Sequence, residues 1–253
     1  MTNPIRFDVL NQMARLVSGF HVRPELVYDY ENARLRMIFE ALTQGVCYVY
    51  NNPVEGDIAE FGTGMGFSAV TLSKAMAEYQ RVFGEHLRRS GLDSKTLYLF
   101  DSFQGLPPPT DPVDVDSPTV KSGRWSEGAY RGLSPEELAE LCAPFYDRSR
   151  LRVMEGWFSK TLRQVPPTTR FAMVHLDCDL YASTIEVLDY LFGQRFVVDG
   201  CAIYFDDWNC NRSSPRFGQR RAWLETVEKY RLRFSDCGDY AVLGHKFVIH
   251  TGS

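Results

Sequence analysis

What the chain lacks narrows its function first. No uninterrupted apolar stretch in its 253 residues approaches the length of a bilayer span. Positive charge is not in excess: 28 Lys and Arg against 32 Asp and Glu leave a net charge of −4, so nothing electrostatic favours nucleic acid or an anionic membrane. The opening MTNPIRFDVLNQMARLV has no basic start, apolar block or small-residue cleavage site, and a cytoplasmic location is the expectation. Six cysteines are scattered with no C-x-x-C pair, which fits neither a zinc site nor a disulfide framework. No internal repeat is present.

What is there suits a core. Hydrophobic residues make up 44% and aromatic residues 13% of the chain, which excludes disorder as the default. Apolar positions recur at threes and fours in FDVLNQMARLV and NARLRMIFEAL, so residues 1–50 read as a helical extension or lid. Residues 51–253 then alternate strands and helices. DIAEF, TLYLFD, LRVME, FAMVHLD and FVVDGCAIYFDD are strands, and YAVLGHKFVIH is a closing edge strand or hairpin. Helices are expected in GFSAVTLSKAMAEYQRVFGEHLRRS, TIEVLDYLF and RRAWLETVEKYR. Another follows Ser134, with Pro135 first in the helix and Glu137 completing a capping box. The pattern predicts one α/β domain: a doubly wound, mostly parallel sheet with an antiparallel C-terminal edge. Residues 101–130, rich in proline, glycine and aspartate, read as a long loop, a lid or binding loop by its length.

Chemistry concentrates at strand ends. Asp177 and Asp179 follow one buried strand, and Asp206 and Asp207 follow another. Two carboxylate pairs so placed suggest a hard cation such as Mg²⁺, which prefers oxygen ligands. The simpler reading makes Asp179 and Asp207 helix caps. Upstream, Glu60 leads into a turn carrying Gly62, Gly64 and Gly66, where missing side chains let backbone approach a ligand. The next strand ends in Asp101, placed to accept from the two ribose hydroxyls of an adenosine. Acidic ends on both strands suit the cationic S-adenosylmethionine better than a pyrophosphate. NAD is the alternative for this element.

EFGTGMGFS, LYLFDSFQGLPPP, EGWFSKTL, LDCDLYASTIEVLDYL and YFDDWN occur in that order. Together they resemble the TylF/macrocin O-methyltransferase family over roughly residues 55–225. The resemblance implies a class I, Rossmann-like methyltransferase fold, S-adenosylmethionine as donor and a required Mg²⁺. It places the metal on Asp177, Asp206 and Asp207 and the general base at Asp179. It assigns cofactor contacts to the first block (Glu60, Gly62, Thr63, Gly64, Gly66, Ser68), to Asp101 and Ser102, and to Gly156 and Trp157 beside the adenine. The acceptor it implies is a small molecule, a deoxysugar hydroxyl on a glycosylated natural product, and relatives commonly form homo-oligomers. A Mg²⁺-dependent methyltransferase of catechols or other phenols shares the same logic, and a non-enzymatic binder of the donor is a third reading.

Other residues carry narrower expectations. His175 lies one alternation deeper than Asp177 and reads as a core histidine rather than a base, with His245 an outside candidate. Trp208, Asn209, Asn211 and Arg212 are candidates for the acceptor wall, as are Trp125 and Tyr130 in the long loop.

Overall fold

The computed structural model describes residues 30–252. The helical reading of FDVLNQMARLV lies outside them. A seven-stranded sheet runs in the order β3-β2-β1-β4-β5-β7-β6, with β1 Asp57–Phe61, β2 Leu97–Asp101, β3 Leu151–Glu155, β4 Phe171–Leu176, β5 Val197–Phe205, β6 Arg233–Tyr240 and β7 Gly244–His250. The first five are parallel, and β7 pairs antiparallel with β5 and β6. This is the doubly wound order of a class I methyltransferase. The order reverses between β1 and β4, so the crevice for a ligand opens at their carboxyl ends.

The central strands read as unbroken apolar runs because helices cover both faces. All six residues of β4 are buried. On one face α1 (Tyr30–Asn51), α2 (Phe67–Arg89) and α5 (Pro135–Cys142) pack Ile38, Leu42, Val46, Leu72, Met76 and Leu138 over Ile58 and Met173. On the other, α6 (Phe158–Thr161), α7 (Tyr181–Gly193) and α8 (Gly218–Tyr230) pack Phe158, Val187, Leu188, Leu191, Ala222 and Trp223 over Phe61, Val174 and Phe205. Helix α1 is therefore one layer of the core: Ile38, Leu42, Val46 and Val49 recur along its buried stripe, so it does more than hang over the sheet as a lid.

Two expectations change. Strand β6 was not legible, because RFSDCGDY is a mostly exposed polar edge; β7 lies inside it, and the two form a hairpin. The long 101–130 segment contains two short helices, α3 (Pro112–Asp116) and α4 (Pro118–Lys121). Asp111 and Ser117 cap them by accepting from Val113 N and Val120 N, and each helix begins with proline. The capping box at Ser134 and Glu137 is formed as the spacing predicts.

Candidate active site and metal centre

The β-ladder levels the strand ends that carry chemistry. Asp177 N donates to Phe61 O at 2.8 Å, and Asp206 N donates to Leu176 O at 2.9 Å. Gln219 of α8, fully buried, ties the same ends: its Oε1 accepts from Asp207 N and its Nε2 donates to Leu176 O. One carboxylate oxygen from each of Asp177, Asp206 and Asp207 then falls within 4.8 Å of the others, close enough for one small cation. Asp206 is 3% exposed and its Oδ1 has no partner. An orphaned, buried, ionisable oxygen beside two more carboxylates fits a hard dication.

Asp179 lines the same cavity but stands outside this trio. Its backbone is left-handed (φ 58°), and its N–H donates to Asp207 Oδ2 at 3.2 Å. Burial, then the charges of Asp206 and Asp207, push the Asp177 carboxyl well up. Burial, then Asp207 and Asp206, do the same to Asp179. Asp207 rises to about 7, through burial and Asp206. These directions hold for carboxylates with no cation among them. The crowding is the electrostatic signature of a site built to take positive charge.

Neither aspartate is a helix cap. The N-terminus of α7 is capped from the long segment: Asp114, 1% exposed, accepts from Tyr181 N at 2.8 Å and Ala182 N at 2.9 Å. Asp207 lies three residues before Cys210, the cap of the single 3-10 turn that follows β5. Replacing Asp114 with alanine is expected to lower unfolding stability by about 1–2 kcal/mol, since two buried amide donors lose their acceptor. A urea melt measures it, and an unchanged midpoint would show that the cap carries no load.

A cavity of about 830 Å³ extends from the carboxylates past the glycine turn to the end of β3. Of the sequence candidates, Gly62, Gly64, Asp101, Ser102, Gly156, Trp157, Asp177, Asp179, Asp206 and Asp207 line it. The turn needs its glycines. Gly62 has φ 86°, and a Cβ there would sit 1.9 Å from Asp177 O; Gly64 has φ 44° and faces open space. Asp101 is engaged within the chain itself. Its Oδ2 accepts from Thr63 N, Thr63 Oγ1 and Gly64 N, and its Oδ1 accepts from Phe103 N. It braces the glycine turn and leaves room for one further donor on Oδ1.

Four candidates do not line the cavity. Glu60 sits one step deeper in the sheet than the turn, fully buried with Oε1 2.9 Å from His175 Nδ1. Thr63 is taken up by Asp101, and Gly66 faces Leu133, Leu138 and Leu141. Ser68 is buried in the first turn of α2. His175 is the core histidine its alternation implies. His245 is held against Asp239 at 2.5 Å and stacks on Trp208, away from the cavity.

The acceptor-wall expectation fails for Trp208, Asn209, Asn211 and Arg212, none of which lines the space, whereas their neighbour Cys210 does. Trp208 is buried under Arg220 and His245. Asn211 Oδ1 instead accepts from Thr119 N at 3.0 Å, staking α4 to the loop after β5. Trp125 and Tyr130 do line the cavity, the first buried and the second exposed at 52%. Beyond them, Leu133 N donates to Gly64 O, closing the long segment onto the glycine turn.

Arg34 was missed altogether. It comes from α1, lines the cavity and reaches Asp206 Oδ2 through Nη2 at 2.5 Å. The available signal was a charge at the head of the buried stripe Ile38, Leu42, Val46, four residues before its first member. Asp114 offered no comparable signal, because its partners lie 67 and 68 residues away.

Residues 24–227 match the family described as macrocin-O-methyltransferase (TylF). The chain belongs to this macrocin O-methyltransferase family. Among curated relatives, it is 31% identical over 160 residues to the 8-demethyl-8-(2,3-dimethoxy-alpha-L-rhamnosyl)-tetracenomycin-C 4'-O-methyltransferase of Streptomyces olivaceus, covering 59% of this chain and 54% of that protein. To the demethyldecarbamoylnovobiocin O-methyltransferase of Streptomyces niveus it is 27% identical over 197 residues, covering 77% and 65%. The chain thus spans between about half and two-thirds of these relatives' lengths. Among solved structures, the O-methyltransferase NovP superposes with a TM-score of 0.69 at 21% identity, covering 97% of this chain and 98% of that one. That likeness establishes the class I fold.

Proposed function

We propose that this chain is an S-adenosylmethionine- and Mg²⁺-dependent O-methyltransferase whose acceptor is a sugar hydroxyl on a glycosylated natural product. The observation that carries the reading is the convergence of Asp177, Asp206 and Asp207 within 4.8 Å, in the same cavity as the glycine turn. Membership of the family and the sugar-directed names of its curated relatives support the acceptor class.

A sugar hydroxyl is a poor nucleophile near neutral pH. A dication held by the three aspartates would supply a Lewis acid that lowers the hydroxyl's pKa and fixes its direction. The chain's own residues do the rest. Gly62 and Gly64 let the donor approach the backbone, Asp101 holds that turn in shape, and Gly156 and Trp157 border the far end of the cavity. Asp179, two residues past one ligand, accepts the proton at its carboxylate as the acceptor oxygen takes the methyl group.

The test is donor turnover against deoxysugar conjugates and, in parallel, against catechols. Conversion of the conjugates is expected, with loss of activity in excess chelator and recovery on added Mg²⁺. Turnover of catechols alone would overturn the acceptor class, and full activity in chelator would overturn the metal.

A further inference from the structure

The reading of the aspartate trio as a cation site leaves Arg34 unexplained. Its Nη2 lies 2.5 Å from Asp206 Oδ2, and its side chain is 21% exposed against 5% for Asp206. A guanidinium is not deprotonated in proteins, so Arg34 is a permanent positive charge beside the place a cation would take.

Two roles are open to such a residue. It could orient Asp206 for ligation, or it could offset the site's charge. The contacts favour the second. Orientation by arginine works through its two-pronged fork, yet Arg34 uses one prong, and its buried Nε has no partner. The backbone at Asp206 is already fixed through Leu176 O and, at the next residue, through Gln219. The charges also match. Three carboxylates and one guanidinium leave two net negative charges, which one dication neutralises.

We propose that Arg34 is a built-in counter-cation that weakens and tunes divalent-ion binding at the Asp177, Asp206 and Asp207 site, keeping the ion exchangeable. A like charge a few ångströms from the ion, in a partly buried setting, repels it far more strongly than the same charge in water. Removing it should tighten the site.

The experiment is Mn²⁺ binding to the purified full chain, followed by the loss of the free-ion signal in electron paramagnetic resonance, for wild type, Arg34→Gln and Arg34→Lys. Arg34→Gln is expected to bind Mn²⁺ at least about tenfold more tightly than wild type. Arg34→Lys keeps the charge and is expected to stay within about threefold of wild type. Equal or weaker binding by Arg34→Gln would overturn the proposal in favour of an orienting role. Tightening in Arg34→Lys equal to that in Arg34→Gln would overturn the charge argument. Failure of wild type and both variants alike to bind Mn²⁺ would instead sink the cation site on which this inference rests, so the two failures are distinguishable.

Discussion

Asp179→Asn is expected to lower turnover about 10²–10⁴-fold while leaving the fold and donor binding in place. The substitution is nearly isosteric and removes the negative charge and, with it, the ability to take a proton. Asp179 lies outside the three-carboxylate cluster, so the proposed cation site keeps its ligands. Its main-chain bond to Asp207 does not involve the side chain and survives. Its left-handed backbone is one that asparagine adopts as readily as aspartate. A calorimetric titration with S-adenosylhomocysteine should therefore match wild type, while the rate constant for methyl transfer falls. Near-normal turnover would remove Asp179 from the proton-accepting role. Among the described histidines, neither His175 nor His245 lines the cavity to replace it.

Gly62→Ala should be more damaging to the fold than any other single methyl addition at the glycine turn, with a loss of about 4 kcal/mol or more in unfolding free energy. Two effects combine. A φ of 86° is strained for alanine, and the new Cβ would lie 1.9 Å from Asp177 O, a backbone atom that cannot swing aside. Relief requires β1 and β4 to part where their register is set by the Phe61 O and Asp177 N bond. Gly64→Ala provides the contrast. Its Cβ meets nothing within 4 Å, so the protein should lose only about 1 kcal/mol, while the methyl projects into the space offered to the donor. Chemical denaturation of both variants checks the pair. Similar stabilities for the two would mean that the turn yields at Gly62.

The central parallel strands were legible because they are short, apolar and buried on both sides, so DIAEF, TLYLFD and FAMVHLD stood out against helical periods. The aspartates were legible for a related reason: a charge directly after such a run must sit at the strand's carboxyl end. Residues whose role depends on distant partners were not. Asp114 looks like one more acid in a polar segment until it is found under α7, and Asn211 looks like a wall residue until it is found holding Thr119. Glu60 shows the limit of motif position. It precedes the turn by two residues and alternation keeps it on the same face as Gly62, yet it lies one step deeper, beside His175 of the neighbouring strand.

The segment between β2 and α5 is tethered to α7 through Asp114, to the loop after β5 through Asn211 and to the glycine turn through Leu133. Roof and floor of the chamber are thus one mechanical unit. A bulky guest cannot widen the opening by lifting that cover without uncapping α7 and releasing Asn211 in the same motion.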